Sequence, residues 1–110
     1  MASPGPFQPF ADAPLPALTL ESRMARTGEA AFQRLGDETV IVLPRTRTLH
    51  VLNPTGVLLW EALDRPRRLS ELVDRLLEAY EVDRPKAEAD VISWAAELAR
   101  QRILLDAPVE

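Results

Sequence analysis

The stretch Thr48-Leu-His-Val-Leu-Asn-Pro-Thr-Gly-Val-Leu-Leu-Trp60 leaves this chain few ways to fold. From Thr48 to Leu52 the residues alternate, with Leu49 and Val51 on one side and Thr48 and His50 on the other. That is the period of a half-buried strand with His50 on its outer face. Asn53 is then a helix cap, and Pro54 suits the first helical position, where a missing N–H costs nothing. Leu52 before the cap and Val57 after it can close a hydrophobic staple. The chain must therefore pass from sheet to helix in one tight step.

Upstream, residues 30–35 read as a first strand, and Gly36-Asp37 is a two-residue hairpin connection. Thr39 to Leu43 is apolar at every position after the first, the pattern of a central strand covered on both faces. Pro44 stops it and Arg45-Thr46-Arg47 makes the turn, so the strand at 48–52 returns along a sheet edge. Downstream, the first helix runs from about Pro54 to Leu63. A second carries Leu69, Leu72, Val73, Leu76, Leu77 and Tyr80 at helical spacing. A third starts at the Asp83 cap and runs to about Arg102, after which Ile103, Leu104 and Leu105 close the core. The expected fold is α+β, a three-stranded antiparallel sheet followed by three helices (βββααα).

This domain is expected over residues 28–105. Five prolines fall in the first 16 residues, interleaved with Ala, Ser and Gly, so residues 1–27 read as a flexible N-terminal arm. Phe7, Phe10, Leu18 and Leu20 are its candidate anchors for a groove. Residues 106–110 form a short acidic tail.

The third helix is apolar over more of its circumference than one core requires. Ala87, Val91, Trp94, Ala95 and Leu98 make one stripe, and Ile92, Ala96, Ala99 and Ile103 make a second beside it. Together they span roughly 200°, against little more than about 100° for a helix covering a single core. The second stripe is shallow, as half of it is alanine. Edge strands are normally blunted by lysine, proline or a bulge, yet Thr48 to Leu52 has no lysine or proline. An open edge beside a shallow apolar strip is a groove for an added peptide strand.

Several function classes are excluded or weakened. There is no cysteine, so disulfide, iron–sulfur and thiol chemistry are absent from this chain. No apolar run approaches the roughly 20 residues that span a bilayer, and no secretory signal pattern opens the chain. With no cysteine and a net charge of −4, a cytoplasmic protein without affinity for nucleic acid or acidic membranes is expected. His50 is the only histidine, and no metal-ligand spacing surrounds it. Glu88 and Asp90 point to different helix faces, Ser70 and Ser93 lack a histidine partner, and no glycine-rich phosphate loop exists. No catalytic residues, metal or cofactor are expected, and the chain reads as non-enzymatic.

The succession Arg34-Leu-Gly-Asp-Glu-Thr-Val-Ile41, Leu52-Asn-Pro-Thr-Gly-Val-Leu-Leu-Trp60 and Leu69-Ser-Glu-Leu-Val73 resembles the PqqD family. Ala89-Asp-Val91, Glu97-Leu98 and Arg102-Ile-Leu-Leu105 continue the resemblance, which covers about residues 28–105. It implies a winged helix-turn-helix-like domain acting as the recognition element for ribosomally made, post-translationally modified peptides. Such a chaperone holds the leader of a precursor as an extra strand and presents the rest to a modifying enzyme, often of the radical S-adenosylmethionine class. The implied contacts are the backbone of Thr48, Leu49, His50, Val51 and Leu52, and Ile92, Ala95, Ala96, Ala99 and Ile103 on and after the third helix. A bulky charge at Ala96 or Ala99 is then expected to abolish binding. Two departures concern helix ends: Arg68 stands where a Ser or Thr cap is usual, which predicts a start at Ser70, and Pro85 comes one place late. The competing readings are a winged-helix DNA-binding regulator using Arg45, Arg47, Arg65, Arg67 and Arg68, and a module that only oligomerises. An unblunted edge allows either a monomer or a homodimer.

Overall fold

The computed structural model describes residues 17–107. Within them the order is β1 (Arg23–Arg26), β2 (Ala31–Leu35), β3 (Glu38–Leu43), β4 (Thr48–Leu52), α1 (Pro54–Ala62), β5 (Arg67–Arg68), α2 (Leu69–Ala79), α3 (Arg84–Arg100) and β6 (Leu104–Asp106). The expected meander is present as the antiparallel sheet β2–β3–β4, with β4 on an edge. Gly36 and Asp37 join its first two strands, and Gly36 adopts φ 65°, where a side chain would be strained.

Register decides which face of this sheet is core. Ile41 sits opposite His50, Thr39 opposite Leu52 and Leu43 opposite Thr48, while Val40 faces Val51 and Val42 faces Leu49. Paired residues share a face. Ile41, Thr39, Leu43 and Leu52 are buried, whereas Leu49 is 62% and Val51 54% exposed. The sides expected for β4 are therefore reversed: Thr48 and His50 turn inward and the two apolar residues outward. The cause is Leu52, which has the parity of His50 and belongs in the core with Ile41 and Leu43. For the same reason β3 is covered on one face only, and Val42 on its other face is open to solvent.

A second sheet, of order β5–β1–β6, has no counterpart in the sequence-based expectation. Met24 in β1 pairs with Arg67 and Asp106 and is 2% exposed, a core residue. Residues 23–27 therefore belong to the folded domain rather than to an arm, and Asp106 belongs to β6 rather than to a tail. The preceding segment also packs. Leu18 and Leu20 lie against the core, and the carbonyls of Ser22 and Leu20 accept hydrogen bonds from Leu69 and Ser70 N–H, each 2.9 Å. The Glu71 carboxylate accepts from Arg68 N–H at 2.9 Å. These acceptors cap α2 without a Ser or Thr, so the helix starts at Leu69 and not at Ser70. Phe7 and Phe10 lie outside the described residues.

The other helix ends follow local chemistry. Asn53 Oδ1 accepts from Gly56 N–H at 2.9 Å, with Pro54 in the first turn. Asp83 Oδ1 accepts from Lys86 N–H at 3.2 Å. α3 stops at Arg100, two residues short of expectation. Arg102 N–H donates to the Ala99 carbonyl and Ile103 N–H to the Leu98 carbonyl, at 3.0 and 2.9 Å, the paired bonds of a Schellman motif. Arg102 holds φ 65° there, in place of the usual glycine, which costs roughly 1–2 kcal/mol. The turn sends Ile103 and Leu104 into the core, where they join Trp60, Leu63, Leu72 and Val91. Arg26 fastens the two sheets to α1: its guanidinium lies 4.5 Å from the Trp60 ring centre and 4.9 Å from that of Phe32, and it donates to the Trp60 carbonyl. Burial holds the Arg26 pKa below its ordinary value, opposed by the nearby charges of Asp64 and Glu61.

Candidate peptide-binding site

The free edge of β4 is the starting point, since among the described residues no strand lies beyond it. α3 runs beside it in the opposite sense, as contacts at the two ends show. At the Leu52 end, a Cβ placed on Gly56 would lie 3.2 Å from Trp94 Nε1 and 3.3 Å from Leu52 Cβ. Glycine at 56 thus lets Trp94 close on the strand-to-helix step. At the Thr48 end, Gln101 and Arg102 share a cleft with Leu43, Pro44, Arg45 and Thr46. The flank of α3 along β4 therefore carries Trp94, Glu97 and Gln101, which recur at the 3–4 spacing of one helix face.

The helix residues expected at the groove lie on other faces of α3 than Trp94. At 100° per residue, Ala96 is turned about 160° away from Trp94, so the two cannot face the same strand. Ala95 and Ile103 are fully buried and offer nothing to a ligand. Ala99 lines a different cavity, of ≈ 300 Å³, with Leu18, Met24, Leu104 and Leu105. Ile92 and Ala96 are half-buried on that same flank. Ala99 of the second apolar stripe thus faces β1, β6 and the segment before β1, elements too short to read from sequence. Trp94, placed in the first stripe, and Gln101, polar and unremarked, are the residues the sequence reading did not assign to the groove.

On the strand side, Thr48 and His50 face inward and are half-buried, and Leu52 is buried. His50 Nε2 is buried without a hydrogen-bond partner. It stands on the face of β4 that an added strand would extend toward α3. The outward face continues differently. Val42 and Leu49, and Val40 and Val51, form cross-strand rows on an open apolar surface, with a shallow depression of ≈ 230 Å³ lined by Ala31, Leu35, Val40 and Val42. Among the described residues no three His, Cys, Asp or Glu side chains converge as metal ligands.

The arrangement defines a small α+β domain with an open strand edge beside a helix. The family described as coenzyme PQQ synthesis protein D (PqqD) matches residues 38–104, more than half of the chain. The chain belongs to the PqqD family. Three solved structures are similar to it. TbiB1 in complex with the TbiA(beta) leader peptide is 27% identical, with a TM-score of 0.71 over 77% of this chain and 99% of that one. A lasso peptide synthetase B1 complexed with the leader peptide is 23% identical, with a TM-score of 0.67 over 74% of this chain and 96% of that one. The PqqD truncation of Methylobacterium extorquens PqqCD, a stand-alone recognition element for ribosomally synthesised and modified peptides, shares the fold at 20% identity. Its TM-score is 0.67, over 81% of this chain and 95% of that one. Among curated proteins none matches significantly.

Proposed function

We propose that this chain is a non-catalytic peptide chaperone that binds the leader of a ribosomally synthesised precursor as an added strand on β4 and presents it to a separate modifying enzyme. The observation that carries this reading is the unblunted β4 edge, unpartnered among the described residues, with Trp94 of α3 near its Leu52 end and Gln101 near its Thr48 end. Support comes from the leader-peptide complexes of two structures with this fold. Main-chain hydrogen bonds to Thr48–Leu52 give affinity. Alternate leader side chains fall between β4 and the Trp94–Gln101 flank of α3, and the others continue the outward rows of Leu49 and Val51. Burying two apolar leader side chains contributes about 3–6 kcal/mol before ordering costs, enough for micromolar binding.

Any S-adenosylmethionine or iron–sulfur chemistry belongs to the enzyme partner, and a radical enzyme of that class is one candidate. The site of action is the cytoplasm, where such precursors are made. Among the described residues no helix is long and apolar enough to cross a membrane. The test is fluorescence anisotropy of a labelled synthetic leader, taken from the precursor encoded beside this chain. A micromolar or tighter dissociation constant is expected. No binding at ten times that protein concentration would remove the reading.

A further inference from the structure

Resting on that leader-binding reading, we infer that the Thr48 end of the groove is an anion subsite, in which Arg47 and Arg102 take carboxylate side chains of the leader. Only two non-glycine residues among those described hold a positive φ, and they are these two arginines, at 55° and 65°. Each sits in a turn where glycine would be unstrained. Arg102 lines the ≈ 90 Å³ cleft with Glu29, Pro44, Arg45 and Thr46, the last of them directly before Arg47, and it also borders the cavity that holds Ala99 and Asp106.

The neighbouring cations are already matched. Arg45 pairs with Glu29 at 2.7 Å and Arg100 with Glu97 at 3.0 Å. Arg47 and Arg102 form no ion pair or side-chain hydrogen bond among the described residues. Among the described residues, two arginines near one end of the β4 edge thus lack an ion-pair partner, in a chain of net charge −4. Backbone conformations of this kind persist where the surroundings over-determine them, and they cluster at binding sites. Guanidinium groups flanking a strand edge match carboxylates in planar, charge-assisted hydrogen bonds. Acidic leader residues lying over and just beyond Thr48 meet that requirement. They also fix the direction and register of a strand that backbone pairing alone leaves free to slip.

The experiment compares the wild-type chain with R47G/R102G. Glycine relieves both backbone conformations, so the melting temperature is expected to hold or rise, and a loss of binding cannot be ascribed to misfolding. The probes are the synthetic leader of the precursor encoded beside this chain and the same peptide with every Asp and Glu replaced by Asn or Gln. At low ionic strength the double variant should bind the acidic leader about tenfold or more weakly. The gap should close at ~0.5 M salt, and the neutralised leader should bind both proteins alike.

Equal affinity of wild type and R47G/R102G for the acidic leader overturns the subsite while leaving the chaperone reading intact. So does a native leader without carboxylates in that stretch. If wild type binds neither peptide, the leader reading fails and the subsite with it. A duplex DNA of matched charge serves as control: wild-type binding to it that R47G/R102G loses would reassign the arginines to phosphate.

Discussion

A chain beginning at Gly28 is expected not to fold, whereas one beginning at Ala17 should melt as cooperatively as the full-length protein. The shorter chain lacks β1, and with it the strand that holds β5 and β6 in one sheet. It also loses Met24 from the core, the packing of Leu18 and Leu20, and two backbone acceptors at the start of α2. Burial of one such side chain is worth about 1.5–3 kcal/mol, and each orphaned helix N–H costs about 1 kcal/mol. The sum is comparable with the roughly 5–15 kcal/mol that separates a domain from its unfolded state. Circular dichroism during heating reads the difference. A sigmoidal transition at the full-length temperature for the chain from Gly28 would show that β1 adds nothing.

The second large effect concerns which side of α3 meets the peptide. Trp94→Ala should weaken leader binding about 30-fold, the cost of about 2 kcal/mol for an aromatic anchor. Ala96→Glu should leave affinity unchanged, since Ala96 lies on the opposite flank. Trp94 also packs on Gly56, so the comparison belongs well below the melting temperature of each variant. Loss of binding in Ala96→Glu with retention in Trp94→Ala would restore the stripe that the sequence suggested.

The contrast between these two flanks shows what was legible in the sequence. The β2–β3–β4 meander and the three helices follow from local signals: two-residue alternation, Gly36-Asp37, the Asn53-Pro54 start and the Asp83 cap. The excess width of the apolar arc on α3 was also visible, and it does mean that the helix packs in two directions. Its second neighbour was hidden, because β1 has one large apolar residue in Arg23–Arg26, β5 has two residues and β6 three. Such strands are specified by distant partners and carry no periodicity of their own.

The facing of β4 was half legible. Leu49 and Val51 pointed one way, while Leu52, needed for the staple on α1, pointed with His50. Only the pairing of His50 with Ile41 resolves that conflict. The same resolution turns the lone histidine from an outer ornament into part of the groove wall. Arg47 counted in the sequence only as a possible phosphate contact and Arg102 only as part of the family resemblance, because a left-handed backbone at a non-glycine residue leaves no mark in the sequence.

Amide NMR of the isotope-labelled protein, titrated with the synthetic leader and separately with duplex DNA, tests the central claim most directly. The account predicts shifts along Thr48–Leu52 and on α3 from Trp94 to Gln101 with the leader, and none with DNA. Shifts with DNA alone, centred on Arg45, Arg47 and α3, would contradict it.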